Sequence, residues 1–103
     1  ILGNIIDKSI YALEEIEENR LLTISIFENL KTFGFSVTNN GPKIPQNMIG
    51  KIFEAGFTTK GSKGEGMGLY NTKNIVERYK GTIEVTSEDS TTFEISFPKN
   101  NEV

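Results

Sequence analysis

A glycine-rich segment in the middle of the chain, residues 56–68, most constrains the fold. It contains five glycines, and Lys60 and Lys63 lie among them. Glycine loses more backbone entropy on ordering than any other residue, so this segment cannot hold regular structure cheaply. An apolar pattern of helical period begins at about Met67 and continues to Tyr79. The sequence therefore predicts a loop that runs directly into a helix.

Helical periodicity recurs elsewhere in the chain. Residues 2–16 carry an apolar stripe at spacings of three and four, which predicts a helix that ends before Asn19. Residues 46–53 predict a second, short helix, and Gly81 is expected to cap the helix that follows the glycines. The residues expected to point inward are Leu2, Ile5, Ile6, Ile10, Leu13 and Ile16 in the first helix, Met48, Ile49, Ile52 and Phe53 in the second, and Leu69, Thr72, Ile75, Val76 and Tyr79 in the third.

Two pairs of alternating segments predict strands. Leu22, Ile24 and Ile26 alternate with polar residues, and so do Phe33, Phe35 and Val37, which predicts a hairpin with one buried face. A second pair follows the last helix, with Ile83 and Val85 in one strand and Phe93, Ile95 and Phe97 in the other. This order predicts an α+β fold, an α/β sandwich in which helices cover one face of a mixed, mostly antiparallel sheet.

Composition narrows the chemistry. The chain has 103 residues, which is the size of a single domain spanning 1–103. It contains no cysteine and no histidine, so thiolate and imidazole chemistry are excluded within it. The formal net charge is −3, which disfavours a nucleic-acid partner.

The glycine-rich segment is the first candidate site. Glycines allow backbone N–H groups to approach an anion closely, and the N-terminus of the following helix adds a positive dipole end. A phosphate site is favoured over the alternative, a flexible surface loop. The segment matches neither a Walker loop nor a Rossmann fingerprint, because the required glycine and lysine spacings are absent.

Two further candidates carry little signal alone. Asn4, Lys8 and Tyr11 share one face of the first helix, where an amide and an amine can reach phosphate or metal. The turn Asn39-Asn40-Gly41-Pro42 ends a strand, and Asn39 can hydrogen-bond the edge of a base. Taken separately, these are an ordinary helix surface and an ordinary turn.

In combination, these segments resemble the catalytic, ATP-binding domain of sensor histidine kinases in the GHKL ATPase group, which has a Bergerat-type fold. Residues 2–9 look like the N box, 39–44 like the first glycine box, 53–60 like the F box and 64–69 like the second glycine box. The Thr58-Thr59-Lys60 and Asn39-Asn40-Gly41 forms are most similar to the quorum-sensing or peptide-sensing subfamily. The resemblance covers essentially the whole chain, without the strands and the helical dimerisation domain that precede it in the family, so an N-terminally truncated domain is expected.

The resemblance implies a function and a site. Such domains bind Mg²⁺-ATP under a mobile lid and pass the γ-phosphoryl group to a histidine on the dimerisation domain. Asn4 is implied as the Mg²⁺ ligand and Asn39 as the reader of the adenine amine, with Thr91 supporting the base through water. The remaining implied nucleotide contacts are Gly41, Ile44, Ile52, Thr59, Lys60, Lys63, Gly64, Gly66, Gly68 and Leu69.

Three positions depart from the family pattern. Lys8 replaces a second Mg²⁺-binding asparagine, and an ammonium cannot ligate a cation but can contact phosphate in the catalytic site. Asn39 replaces an aspartate, which predicts weaker ATP binding and looser discrimination against guanine. Lys43 replaces a glycine of the first glycine box.

The resemblance also implies partners. They are the dimerisation domain of the same protein and a response regulator, in a membrane-tethered homodimer whose ATP-binding domain is cytoplasmic. The alternatives that remain are a degenerate nucleotide-binding regulatory module, motivated by Lys8, and a serine-phosphorylating anti-sigma kinase.

Overall fold

The fold is known from a computed structural model, which describes residues 2–54 and 68–99. Its elements are α1 (Leu2–Leu13), β1 (Leu22–Glu28), β2 (Thr32–Asn39), α2 (Gln46–Ile49), α3 (Gly68–Arg78), β3 (Thr82–Ser87) and β4 (Thr91–Pro98). The predicted order of helices and strands is confirmed over these residues. Residues 55–67 lie outside them, and so does most of the glycine-rich segment.

The four described strands form one sheet in the order β1-β2-β4-β3. Every pairing among them is antiparallel, so the parallel component of the expected mixed sheet is not found in the described part of the chain. The two predicted hairpins, β1 with β2 and β3 with β4, are both present. The helices contact β2 and β3 on one face, which confirms the α+β sandwich.

The register aligns like residues across the sheet. On the helix-facing side, Ile24 pairs with Val37, Val37 with Phe93, and Phe93 with Val85. The opposite side is polar, and there the hydroxyl groups of Thr38 and Thr92 hydrogen-bond at 2.9 Å. This alternation places the hydrophobic core, which is Ile5, Val37, Ile52, Leu69, Val76, Phe93 and Ile95, between the helices and the sheet.

Helix α1 ends earlier than its apolar stripe predicts. Ile16 lies beyond the helix in a turn, and Leu2 and Ile10 are 39% and 44% exposed. Ile5 and Leu13 of the predicted stripe are buried, and Ser9, one turn from each, is the third buried residue of the helix. Asn19, the predicted stop, has a left-handed backbone (φ 59°) that turns the chain toward β1.

The end of α3 also differs from the prediction. The left-handed residue is Lys80 (φ 67°), and Gly81 is the next residue, whose N–H donates to the carbonyl of Val76 at 2.9 Å. This is the Schellman pattern of helix termination. Gly81 is needed for a different reason: a Cβ there would lie 2.7 Å from the Ser96 carbonyl oxygen and from the Phe97 ring. Tyr79, predicted to point inward, is 63% exposed.

Candidate functional site

A buried polar row crosses one end of the helix-facing side of the sheet. Asn39 pairs with Thr91, and Thr91 pairs with Ser87 on the next strand. All three side chains are almost fully buried. Because buried polar groups cost free energy unless they are hydrogen-bonded, this row needs partners of its own, and a ligand is one possible source of them.

Ser87 ties the row to the loop above it. Its hydroxyl accepts the backbone N–H of Ile44 at 2.8 Å and shares a hydrogen bond with the Thr91 hydroxyl at 2.6 Å. The loop between β2 and α2 is thereby held over the sheet. Ser87 was not predicted as a site residue, because the strand that carries it was recognised from Ile83 and Val85 alone. The alternation of Ile83 and Val85 would have marked position 87 as the next inward residue.

Asn39 and Gly41 form a tight turn at the end of β2. The side-chain Oδ1 of Asn39 accepts the backbone N–H of Gly41 at 2.8 Å. A Cβ on Gly41 would lie 2.9 Å from the carbonyl oxygen of Ala12 in α1 and 3.0 Å from that same Oδ1. Only glycine allows this close approach of the turn to α1, so Gly41 holds Asn39 in place without lining a cavity itself.

A cavity of about 360 Å³ lies above the polar row. This volume is in the range of small-ligand pockets, roughly 300–1,000 Å³. Its walls come from α1, the loop before α2, α2 itself and β4, and its floor is Asn39 and Thr91. The residues that line it are Lys8, Tyr11, Ala12, Glu15, Asn39, Pro42, Lys43, Ile44, Pro45, Met48, Ile52, Thr91 and Phe93.

The cavity combines an apolar slot with charge. Ile44, Ile52 and Phe93 supply apolar surface to the cavity, while Lys8 and Lys43 bring positive charge to the same space. Glu15 is the one acidic residue among the lining side chains. An apolar slot with a few fixed polar groups and net positive lining suits a ligand with a planar base and an anionic tail.

Asn4 lies at a separate junction, between α1 and the start of α3. Its Nδ2 donates to the Thr72 hydroxyl at 3.1 Å and approaches the Gly68 carbonyl at 3.5 Å. Thr72 in turn donates to that carbonyl at 2.8 Å. Because Nδ2 is engaged, Oδ1 is the atom of Asn4 left for a cation, and Thr72 is a positioning residue that periodicity alone assigned to the core.

The structure brings five of the predicted site residues to one cavity. They come from α1, the end of β2, the loop that follows it, the turn after α2 and the start of β4. They are Lys8, Asn39, Ile44, Ile52 and Thr91. The sequence distance between the first and last of these residues shows that only the folded sheet could unite them.

The other predicted residues fall into two groups. Asn4, Gly41, Gly68 and Leu69 do not line the cavity; Leu69 is 8% exposed and packs in the core, and Gly68 is the exposed first residue of α3. The rest lie outside the described residues: Thr59, Lys60, Lys63, Gly64 and Gly66. The phosphate-loop prediction thus stays a prediction for its central part.

Titratable groups add little to the site. Within residues 2–54 and 68–99 no three His, Cys, Asp or Glu side chains cluster as a metal site would require. A hydrogen bond from Lys99 lowers the pKa of Glu28, but this pair lies at the exposed end of the sheet's outer strand. The chemistry of the cavity therefore rests on hydrogen-bond geometry and fixed lysine charge.

Known proteins of one family share this sequence and fold. Residues 1–101 match the family described as histidine kinase-, DNA gyrase B-, and HSP90-like ATPase. A probable C4-dicarboxylate sensor kinase of Halalkalibacterium halodurans is 39% identical over 96% of this chain, and one of Bacillus subtilis is 32% identical over 99%. The nucleotide-free catalytic domain of the histidine kinase ThkA superposes with a TM-score of 0.81 at 33% identity over 95% of this chain.

These matches cover unequal shares of the relatives. The chain spans 19% and 20% of the two sensor kinases and 63% of the ThkA catalytic-domain structure. The similarity is therefore to one part of these longer proteins. The chain belongs to the histidine kinase-, DNA gyrase B- and HSP90-like ATPase family, and within that family it is similar to the catalytic domains of sensor histidine kinases.

Proposed function

We propose that the chain binds ATP in this cavity and, within its complete protein, donates the γ-phosphoryl group to a histidine on a helical dimerisation domain. One observation carries the proposal: the cavity has apolar walls over a floor made by the paired residues Asn39 and Thr91. A purine needs a slot for its faces and hydrogen bonds at its edge, and this arrangement supplies both.

The base end of the site is proposed as follows. Ile44 and Ile52 pack on the ring, with Ile44 held by the Ser87 hydrogen bond. Asn39 and Thr91 contact the ring edge. Burial of these groups favours a ligand that both fills the slot and completes their hydrogen bonds, because an unpaired buried polar group is costly.

The phosphate end is proposed to lie toward α1 and the start of α3. Lys8 lines the cavity, and α3 begins at Gly68, where the first N–H groups of a helix have no partner within the helix and can serve an anion. Gly64, Gly66 and Leu69 would bring further backbone N–H groups to the phosphates. Thr59, Lys60 and Lys63 would approach the phosphates from the lid that the family resemblance implies. Phosphoryl transfer asks a protein mainly for such positioning and charge neutralisation.

The residues present suit Mg²⁺ only in part, because Asn4 can ligate the ion and Lys8 cannot. The ion binds through few protein oxygens and keeps several waters alongside phosphate oxygens. Oδ1 of Asn4 can be such a ligand, since Nδ2 is bound to Thr72. Lys8 cannot ligate Mg²⁺ and would instead contact phosphate directly. When bound, Mg²⁺ would neutralise charge on the transferred group.

The phosphoryl acceptor must lie outside this chain, because the chain contains no histidine. We propose that it belongs to the dimerisation domain of the same protein, which then phosphorylates a response regulator. The complete protein is proposed to be a membrane-tethered homodimer with this domain in the cytoplasm. In the described ranges, no helix has the length and apolar character needed to cross a bilayer. The relatives above are named for other signals, so the quorum-sensing or peptide-sensing subfamily stays a prediction.

Titration calorimetry with a non-hydrolysable ATP analogue tests the nucleotide site. We expect binding with and without Mg²⁺, and a larger Mg²⁺ dependence in Lys8→Asn, where a second amide oxygen replaces the ammonium. Lys51→Asn is the matched control, because it makes the same charge change at an exposed residue that does not line the cavity. Absence of analogue binding to a folded wild-type chain would refute the proposed site.

Phosphoryl transfer needs a second experiment. The chain is mixed with the helical domain of its own protein and labelled ATP, and acid-labile phosphate is measured. Gly68→Ala is the test variant, because a Cβ there meets no atom of the described residues within 4 Å, so lost activity would report on the ligand. Binding without any transfer would favour the regulatory module that does not phosphorylate.

A further inference from the structure

The amide of Asn39 has a fixed orientation, which decides what it offers a base. The backbone N–H of Gly41 is only a donor, so the Asn39 atom 2.8 Å away from it must be the carbonyl oxygen Oδ1. The amide therefore cannot rotate by 180° without facing one donor with another. Gly41 itself cannot move away, because α1 packs directly against it at Ala12.

The nitrogen of the same amide is the group left for the cavity. Asn39 lines the cavity and is 2% exposed, and Nδ2 donates to no acceptor within the part of the chain that the structure describes. Oδ1 already accepts the Gly41 N–H. Of the two polar atoms of this amide, Nδ2 is therefore the one without a hydrogen-bond partner among the described residues, and its N–H groups are the ones with bonds to offer a base.

This donor has consequences for the base. Adenine carries an amine at position 6, which is itself a donor, so Asn39 Nδ2 can pair only with the neighbouring ring nitrogen. A purine with a carbonyl at position 6 offers an acceptor directly. We propose, on the basis of the ATP site above, that the cavity also accepts 6-oxopurine nucleotides, and that Asn39 is the residue that permits it.

Inosine triphosphate is the sharpest probe, because it changes the 6-position without adding the 2-amino group of guanine. We expect wild-type dissociation constants for ATP and inosine triphosphate that agree within about tenfold, since each base finds one acceptor for Nδ2. In Asn39→Asp the carboxylate keeps the Gly41 bond and offers a charged acceptor to the adenine amine. We expect the preference for ATP to rise about tenfold in this variant.

Asn40→Asp is the matched control. Asn40 undergoes the same amide-to-carboxylate change, but its side chain bonds the Leu21 N–H and the Asn19 carbonyl and does not line the cavity. We expect its preference between the two nucleotides to equal that of the wild type. Thermal unfolding of all three chains, without ligand, checks that each variant is folded.

The outcomes separate this inference from the proposed function. A wild-type preference for ATP above tenfold, or a rise of less than about threefold in Asn39→Asp, overturns the role of Asn39 while leaving an ATP site in place. An equal rise in Asn40→Asp also overturns it, because the effect would then come from charge alone. Failure of the folded wild type to bind either nucleotide refutes the site itself.

Discussion

Ile95 and Ile26 lie in the same row across the sheet, but one is buried and the other is exposed. Both face the helix side, and the register links them through Phe35, which pairs with each. Ile95 on β4 is fully buried, whereas Ile26 on β1 is 84% exposed. Their strands have similar alternation, so the difference arises from what lies above them.

The helices lie over β2, β4 and β3, where α1 contacts β2 and α3 contacts β3. Strand β1 lies at the edge of this cover, and its helix-facing residues Ile24 and Ile26 are 44% and 84% exposed. Binary alternation therefore tells which face of a strand a residue is on, but the depth of burial depends on the helix placed over it. The following predictions test this contrast, from the largest effect to the smallest.

Replacing the two isoleucines should give very different losses. We expect Ile95→Ala to lower the free energy of unfolding by about 2–5 kcal/mol, because it leaves a cavity in the core. Ile26→Ala should change it by less than about 0.5 kcal/mol, as at other exposed positions. Urea unfolding at neutral pH measures both. Comparable losses would mean that β1 is covered in solution.

The polar row should be costly to break even though its residues are not apolar. Ser87→Ala leaves the Ile44 N–H and the Thr91 hydroxyl without their buried partner. We expect a loss of about 1–3 kcal/mol and weaker ATP-analogue binding. Ser90→Ala in the adjoining turn is the control for the same substitution. Retained stability and affinity in Ser87→Ala would show that water replaces the hydroxyl.

Removing the buried hydroxyl of Ser9 in α1 should stabilise the protein. Ser9 is fully buried, and its hydroxyl has no partner within the described residues. We expect Ser9→Ala to raise the free energy of unfolding by about 1 kcal/mol, because the desolvated hydroxyl disappears and alanine favours the helix. Differential scanning calorimetry measures the gain. A loss would indicate that the hydroxyl has a bound partner.

The ion pair at the end of β1 should make only a small, pH-dependent contribution to the free energy of unfolding. Glu28 ends β1, and the Lys99 ammonium 2.6 Å away lowers the pKa of its carboxyl group. Because the folded-state pKa is lowered, the contribution is present at neutral pH and is lost as pH falls through that pKa. Glu28→Gln should thus unfold at slightly lower urea concentration at pH 7, and the gap should close in acid and in high salt. A gap that persists in acid would contradict the ion-pair origin.

Local patterns predicted the elements well but several boundaries poorly. The two hairpins and three helices followed from apolar period and turn residues, which act over a few positions. The stripe of α1 extended to Ile16, yet the helix ends at Leu13, because the side chains facing the sheet, and not the stripe itself, decide which turns are stabilised. Gly81 was predicted to cap a helix, whereas close packing on Ser96 and Phe97 is what requires a glycine there.

The site residues likewise divide into those that the sequence predicted and those that it did not. Asn39 and Lys8 were weak candidates within their own segments, and only the resemblance to a known family combined them with Thr91 in one site. Ser87 and Thr72 were missed, since each acts only through a partner distant in sequence.

The sequence by itself determined the elements, the alternation that divides the two faces of the sheet, the absence of a phosphoryl-accepting histidine, and the family. Tertiary structure alone decided that Asn39, Thr91 and Ser87 form one buried row and that β1 lies outside the helix cover. It also fixed the Asn39 amide, whose oxygen accepts the N–H of Gly41 while its nitrogen has no partner among the described residues. The physical reason is range: backbone preferences and periodicity act within a few residues, whereas burial and hydrogen-bond orientation depend on groups that meet only when the chain is folded.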